Sequence, residues 1–257
     1  MGFLSSIFNT ILYKPLFNLL ILFYKYLPGN DFGIAIIALT VLIKVLLYPL
    51  GTRAIRSQKV LSELQPKIKE IQEKYKDNKE KQVQIMMELY KKEKINPFSG
   101  FLPILIQLPI LFALYRVFWK GLRPEELSSV LYGSIFHIDA INSSFLGLID
   151  LSQAVRGADQ KLIIPNLILI IIVGISQFIQ MKMIAPKTQK TKAKSGGAGQ
   201  FSDMMQKQMT YFFPIFTIFI LWKLPAALAL YWLVTTLFSI IQQYFVFKKK
   251  SVKTISP

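Results

Sequence analysis

Lys44 stands in the middle of FGIAIIALTVLIKVLLYPLGTR, residues 32 to 53, an apolar run of membrane-spanning length. Nine residues separate it from Arg53, which at ~1.5 Å of rise per helical residue puts it roughly 14 Å from the nearer membrane surface. A lysine stem does not snorkel that far. A charge at such depth costs about 2.5 to 3.5 kcal/mol on insertion scales and marks a functional position by default. All fourteen acids, Asp31, Glu63, Glu70, Glu73, Asp77, Glu80, Glu88, Glu93, Glu125, Glu126, Asp139, Asp150, Asp159 and Asp203, fall outside the candidate spans. Two environments are open to the lysine: it is neutral and packed against hydroxyls and amides, or charged in a wet cavity inside the membrane. Polar residues that share the apolar runs are Thr40, one turn before Lys44, then Gln107, then Gln177 and Gln180 one turn apart. Thr235, Ser239 and Gln242 lie on one helical face at i, i+4, i+7 spacing. Other chemistry is poorly supplied. With no cysteine there is no disulfide, thiol chemistry or Cys-based lipid anchor, and one histidine, His137, provisions the usual metal sites poorly. No cofactor is expected.

The elements that must position these residues follow from composition. The chain has 257 residues, 53% of them hydrophobic, and a mean hydropathy of +0.41, which is too apolar for an ordinary soluble domain. It reads as an all-α integral membrane protein with five transmembrane helices. These occupy 31–54, 98–120 (core Phe101 to Trp119, with Pro103 and Pro109 inside), 161–182, 208–223 and 224–247, the last two joined by the reversal Lys223-Leu224-Pro225. Residues 1–30 form an N-terminal helix whose polar positions Ser6, Asn9, Thr10, Lys14, Asn18 and Lys25 share one side, as an interfacial helix requires; a sixth span or an uncleaved signal is the rival reading. Between the first two spans, residues 55–97 are charged helix formers. Leu61, Leu64, Ile68, Ile71 and Tyr75 recur at spacings of three and four, and Val83, Met86 and Tyr90 continue after the turn Lys76-Asp77-Asn78. That is a seam for an antiparallel helical hairpin, with Pro66 kinking or restarting its first arm. Residues 121–160 are turn-rich, 183–207 a basic, Gly-rich flexible linker and 248–257 a basic tail. Most of the 31 basic residues fall in the hairpin, linker and tail. The positive-inside rule therefore puts these, with the C-terminus, in the cytoplasm, and residues 1–30 and 121–160 outside.

At this point the residues resemble a known family. IALTVLIKVLLYPL, followed by SQKVLSELQPKIKEIQEKYKDNKEKQ, INPFSGFLPILIQLPILFALYRVF and YFFPIFTIFILWKLPAALALYWLVTTLFSIIQQ, is similar in content and order to the YidC/Oxa/Alb membrane protein insertases, from about residue 8 to 247. The resemblance implies a five-helix core enclosing a hydrophilic groove, open to the cytoplasm and to lipid and closed outside. A cationic residue of the first core helix lines that groove, and Lys44 stands at its position. Bacterial members usually have arginine there, so charge is kept while the bidentate fork is lost. It also implies nascent membrane proteins as substrates, the ribosome, the Sec translocon and the signal recognition particle pathway as partners alongside membrane lipids, and a place in the bacterial cytoplasmic membrane.

The physical reading of such a groove is a shortened path. Polar flanks lose water on crossing hydrocarbon; a groove halfway through the bilayer lets Lys44 attract acidic flanks while Gln107, Gln177, Gln180 and the Thr235/Ser239/Gln242 face supply transient hydrogen bonds. The substrate helix then partitions sideways into lipid. No bond breaks, so no enzyme is expected; a serine/lysine hydrolase would need a serine near Lys44, and the spans offer only Ser176 and Ser239. A transporter or channel using the lysine is the other class, though neither inverted repeats nor paired intramembrane charges are visible. Lys187, Lys190, Lys192 and Lys194 in the linker and Lys248, Lys249 and Lys250 in the tail are expected to contact ribosomal RNA or anionic lipid through charge alone, with no role for DNA.

Overall fold

The computed structural model describes residues 2–93, 96, 102–120, 130–132, 141–157, 159–185 and 208–251. Its helices are α1 (Phe3–Phe8), a π-helical turn (Asn9–Tyr13), α2 (Lys14–Tyr26), α3 (Phe32–Leu46), α4 (Tyr48–Lys74), α5 (Lys79–Lys92), α6 (Leu102–Lys120), α7 (Ile164–Ile184), a second π-helical turn (Gln208–Phe212), α8 (Phe213–Leu221) and α9 (Ala226–Ser251). A two-residue-per-strand hairpin, β1 (Ser144–Phe145) and β2 (Ile149–Asp150), is antiparallel with Ser144 opposite Asp150. The protein is an all-α integral membrane protein. By length and composition Ser5–Tyr26, Ile164–Ile184 and Ala226–Lys248 each suffice to cross a bilayer, and a fourth span results if α3 and α4 count as one broken helix. Leu105–Trp119 and Thr210–Leu221 are shorter apolar helices.

The chain divides into two compact units. The first comprises 1–47, 104–176 and 216–238. Its core joins Phe17, Leu20 and Ile21 of α2, Phe32, Ile36 and Leu39 of α3, Leu114 of α6, Ile170 of α7 and Leu228 of α9, all buried. The α2–α3 reversal runs through Gly29 and Asn30, whose φ of 87° and 47° lie in the left-handed region these two residue types tolerate best. Asp31 then caps α3, accepting from the Ile34 N–H at 3.0 Å. The polar side expected of the N-terminal helix is not uniformly turned to solvent. Asn18 is buried; its amide donates to the carbonyls of Lys14 (2.8 Å) and Val130 (3.0 Å) and accepts from the Tyr132 N–H (2.8 Å).

Residues 141–157 and 159–163 lie over the ends of several helices of this unit. Leu151 and Gln153 offer their carbonyls to the N–H groups of Ala227 and Ala226, the otherwise orphaned donors at the start of α9. Buried Asn166, in the first turn of α7, donates to the carbonyls of Asp150, Gln153 and Ala154. The reversal at Lys223-Leu224-Pro225 is as expected, with Lys223 and Leu224 N–H groups bonded back to Ile220 and Leu221.

The second unit comprises 48–103, 177–215 and 239–257. Here α4 and α5 form the expected hairpin. Helix α4 runs unbroken through Pro66, so the proline does not restart it. Asn78 caps α5, accepting from the Lys81 N–H at 3.0 Å, and the resulting register differs from the sequence expectation. Gln82 is buried and donates to the Gln72 carbonyl at 2.9 Å, whereas Val83 points to solvent. Leu64 and Ile68 form the buried seam of α4, and Lys67 pairs with Glu93 at 3.5 Å.

Candidate functional site: polar groups on apolar helices

The expected continuous span from Phe32 to Arg53 is broken. Pro49 has no N–H for the Val45 carbonyl, and Leu47 (φ −86°, ψ 2°) leaves helical geometry, so α3 ends at Leu46. Lys44, half-buried, therefore occupies the last turn of α3. Carbonyl groups at a helix C-terminus carry the negative end of the peptide dipoles, an environment that favours a cation. Thr40, one turn earlier, is buried, and its hydroxyl donates to the Ile36 carbonyl of its own helix at 2.6 Å.

Two further polar groupings belong to the first unit. Gln107 of α6 donates to the Tyr231 hydroxyl, and Thr235 stands one turn along α9 from Tyr231. Gln107, singled out in the sequence, is thus joined to a residue that was not. Tyr231 gave no signal because an aromatic residue in an apolar run reads as core, which it also is. The other grouping surrounds Arg116 of α6: its guanidinium donates to Asn9 Oδ1 at 2.5 Å and lies 4.6 Å from the centre of the Tyr13 ring. The signal was available in an arginine at the end of an apolar run and an Asn/Tyr pair four residues apart.

In the second unit, Gln242 is buried and both its amide hydrogens are used: Nε2 donates to the Tyr48 carbonyl at 2.9 Å and to Thr52 Oγ1 at 3.0 Å. Gly51 lets this amide come close, since a Cβ there would meet Gln242 Nε2 at 3.1 Å. Gln242 is a brace for the start of α4. Ser62 donates to the Ile184 carbonyl at 2.7 Å and Lys59 lies over the Phe247 ring at 5.2 Å, further fastening the root of that helix. Gln177 and Gln243 are buried, and among the described residues the amide oxygens of both have no hydrogen-bond partner. Gln180 and Ser239 are half-buried. The eight polar residues singled out in the spans divide evenly: Lys44, Thr40, Gln107 and Thr235 belong to the first unit, Gln177, Gln180, Ser239 and Gln242 to the second. Lys248 is exposed; Lys187, Lys190, Lys192 and Lys194 lie outside the described residues, as do the side chains of Lys249 and Lys250 and the single histidine, His137. Among the described residues, no cluster of three or more His, Cys, Asp or Glu side chains could hold a metal ion.

A family model described as 60Kd inner membrane protein matches residues 22–253, nearly the whole chain. The chain belongs to this family. It is 37% identical over 245 residues to the membrane protein insertase YidC of Brucella suis biovar 1, covering 93% of this chain and 36% of that protein. The corresponding protein of Wolinella succinogenes is 36% identical over 246 residues, with 96% and 39% covered. That of Fusobacterium nucleatum subsp. nucleatum is 35% identical over 240 residues, covering 91% of this chain and 98% of its own length. The chain thus spans little more than a third of the first two relatives and almost all of the third. Family membership agrees with the sequence resemblance, and with the apolar helices it identifies a multi-pass bacterial inner-membrane protein.

Proposed function

We propose that the chain is a membrane protein insertase, receiving nascent membrane proteins from the cytoplasmic side, guiding their polar flanks through a hydrophilic groove and releasing their apolar helices into lipid. The observation that carries this reading is Lys44, a cation in the last turn of an otherwise apolar helix. A lysine so situated attracts an acidic flank with several times the strength it would have in bulk water, because the effective dielectric is near 20 rather than 80. Transfer of a polar flank costs most where backbone and charges find no partners. Gln107, Tyr231 and Thr235, which belong to the same unit as Lys44, supply exchangeable hydrogen bonds. With its donors committed to α4, Gln242 acts by bracing that helix rather than by touching substrate.

In this reading the hairpin, linker and tail are cytoplasmic, and the ribosome, the Sec translocon and the targeting pathway meet the protein there. The step itself breaks no covalent bond. Photocrosslinkers placed singly at Gln107 and Thr235 test it on ribosome-bound nascent chains bearing one apolar segment with an acidic flank. Crosslinks from these positions to the flank, progressing to the apolar segment as the chain lengthens, are expected. Crosslinks confined to lipid or to the hairpin at every chain length would overturn it.

A further inference from the structure

We propose that the β1–β2 hairpin is a lipid anchor, its tip leucines Leu146 and Leu148 seated in the interface of the membrane leaflet at which α2 ends and α3 begins. Three observations within the first unit carry this. The hairpin is fixed to the helix ends that mark that boundary: the Leu146 N–H donates to Asp31 Oδ2 at 2.6 Å, while the other oxygen of the same carboxylate caps α3. The Asn142 N–H donates to the hydroxyl of Tyr24, near the end of α2, at 2.9 Å. Phe145 lies over Gly33 in the first turn of α3, so closely that any side chain there would displace the ring.

The turn itself is unsuited to water. Leu148 N–H closes it on the Phe145 carbonyl at 3.0 Å, with positive φ at both intervening residues, 51° at Leu146 and 69° at Gly147. Asn-Gly is the usual occupant of such a turn, because asparagine tolerates left-handed backbone and is hydrated. Leucine in the first position is unfavourable twice over, once for its backbone and once for its exposed side chain, unless that side chain is buried in something other than this chain. Leu146 and Leu148 are 62% and 74% exposed, the latter the most exposed of the large apolar side chains described.

Exposed apolar or aromatic residues of the same unit also mark the ends of two helices that suffice to cross a bilayer: Tyr26 ends α2 and Ile164 begins α7. An aromatic ring at a span end is the usual marker of the headgroup level. Two leucines held at that level by Asp31 and Tyr24 reach the headgroup/acyl boundary, where apolar side chains of peripheral helices also insert. The occupant is therefore phospholipid. The anchor also gives the strap over the helix ends a second attachment besides its hydrogen bonds to α7 and α9.

The absence of cysteine from the sequence makes the test direct. Full-length Leu148→Cys carries an environment-sensitive fluorophore and is reconstituted into phosphatidylcholine/phosphatidylglycerol vesicles, with Lys161→Cys as the water-exposed reference. The tip label is expected to emit at shorter wavelength than the reference, to be quenched by phospholipid brominated near the headgroup end of its chains, and to resist aqueous iodide several-fold better. Quenching by iodide equal to that of the reference, with none by brominated lipid, would overturn the proposal. So would protection from both quenchers, since the occupant would then be protein. Leu146→Asn, which suits the turn better, controls for folding: with this change in the Leu148→Cys background the hairpin persists and the lipid quenching falls.

Discussion

Lys44 shows how the effect of one residue is set by where its helix stops. In a straight span it would be a deep charge on apolar surroundings; with α3 ending at Leu46 it stands in the last turn of a helix, at the negative end of the peptide dipoles. Its importance was legible in the sequence because a cation in an apolar run has few bland explanations. Its surroundings were not, because they depend on the break before Pro49. The bracing contact of Gln242 was not legible for a related reason: 194 residues separate it from the Tyr48 carbonyl it serves, and no local pattern announces that pairing. Gln242→Leu should lower stability by about 1 to 3 kcal/mol, the usual cost of leaving buried polar groups without their partner. Thermal unfolding in detergent checks this, and an unchanged midpoint would remove the brace. Asp150 yields a pH dependence. Partial burial pushes its carboxyl up, but hydrogen bonds from the Ser152 hydroxyl, Gln153, the Ser152 N–H and Ser143 outweigh it and hold the group below its ordinary 3.8. A depressed carboxyl stabilises the folded chain above pH 3.8, and that contribution is lost as the pH falls through the folded-state value. Unfolding midpoints measured downward from pH 5 should therefore fall more steeply for the parent chain than for Asp150→Asn.

At the scale of elements, the α4–α5 hairpin was the most legible part of the chain. Spacings of three and four fix a seam on α4, and Leu64 and Ile68 are buried in it as expected. On α5 the pattern misled, because a polar residue, Gln82, fills the seam by bonding the Gln72 carbonyl while Val83 turns outward. A hairpin held by so short a seam is free to move as an arm unless its root is fastened. In the structure the root of α4 is fastened at Tyr48, Thr52, Lys59 and Ser62, so a moving arm must begin beyond Ser62. Arms of about two heptads are marginal alone. Leu64→Asp combined with Ile71→Asp should melt the arm, leave the other helices folded and lower insertion several-fold. Hydrogen exchange should show the amides past Ser62 opening far sooner than those of α7 and α9; equal protection would make the arm a rigid element.

For the whole molecule, composition and segment order sufficed to recognise an all-helical membrane protein and its family, since the bilayer leaves few ways to satisfy a backbone. The polar positions were found one by one in the sequence, but which of them meet was not, because helix pairing is decided by contacts far apart in the chain, such as Gln107 with Tyr231. The basic linker and tail act in our reading through net charge, +17 for the chain, so ribosome co-sedimentation should fall steeply with salt and weaken when Lys187 to Lys194 and Lys248 to Lys253 are neutralised. Co-sedimentation unchanged by that neutralisation would limit both clusters to fixing topology. The insertase reading is tested most directly by reconstituting the parent chain, Lys44→Arg, Lys44→Ala and Lys44→Glu in vesicles. What is measured is insertion of two substrates that differ only in an acidic or a neutral translocated flank. We expect Lys44→Arg to match the parent, Lys44→Ala to insert the acidic-flank substrate several-fold less well, and Lys44→Glu to lose it by tenfold or more while still inserting the neutral one. Normal insertion of the acidic-flank substrate by Lys44→Glu would contradict the account.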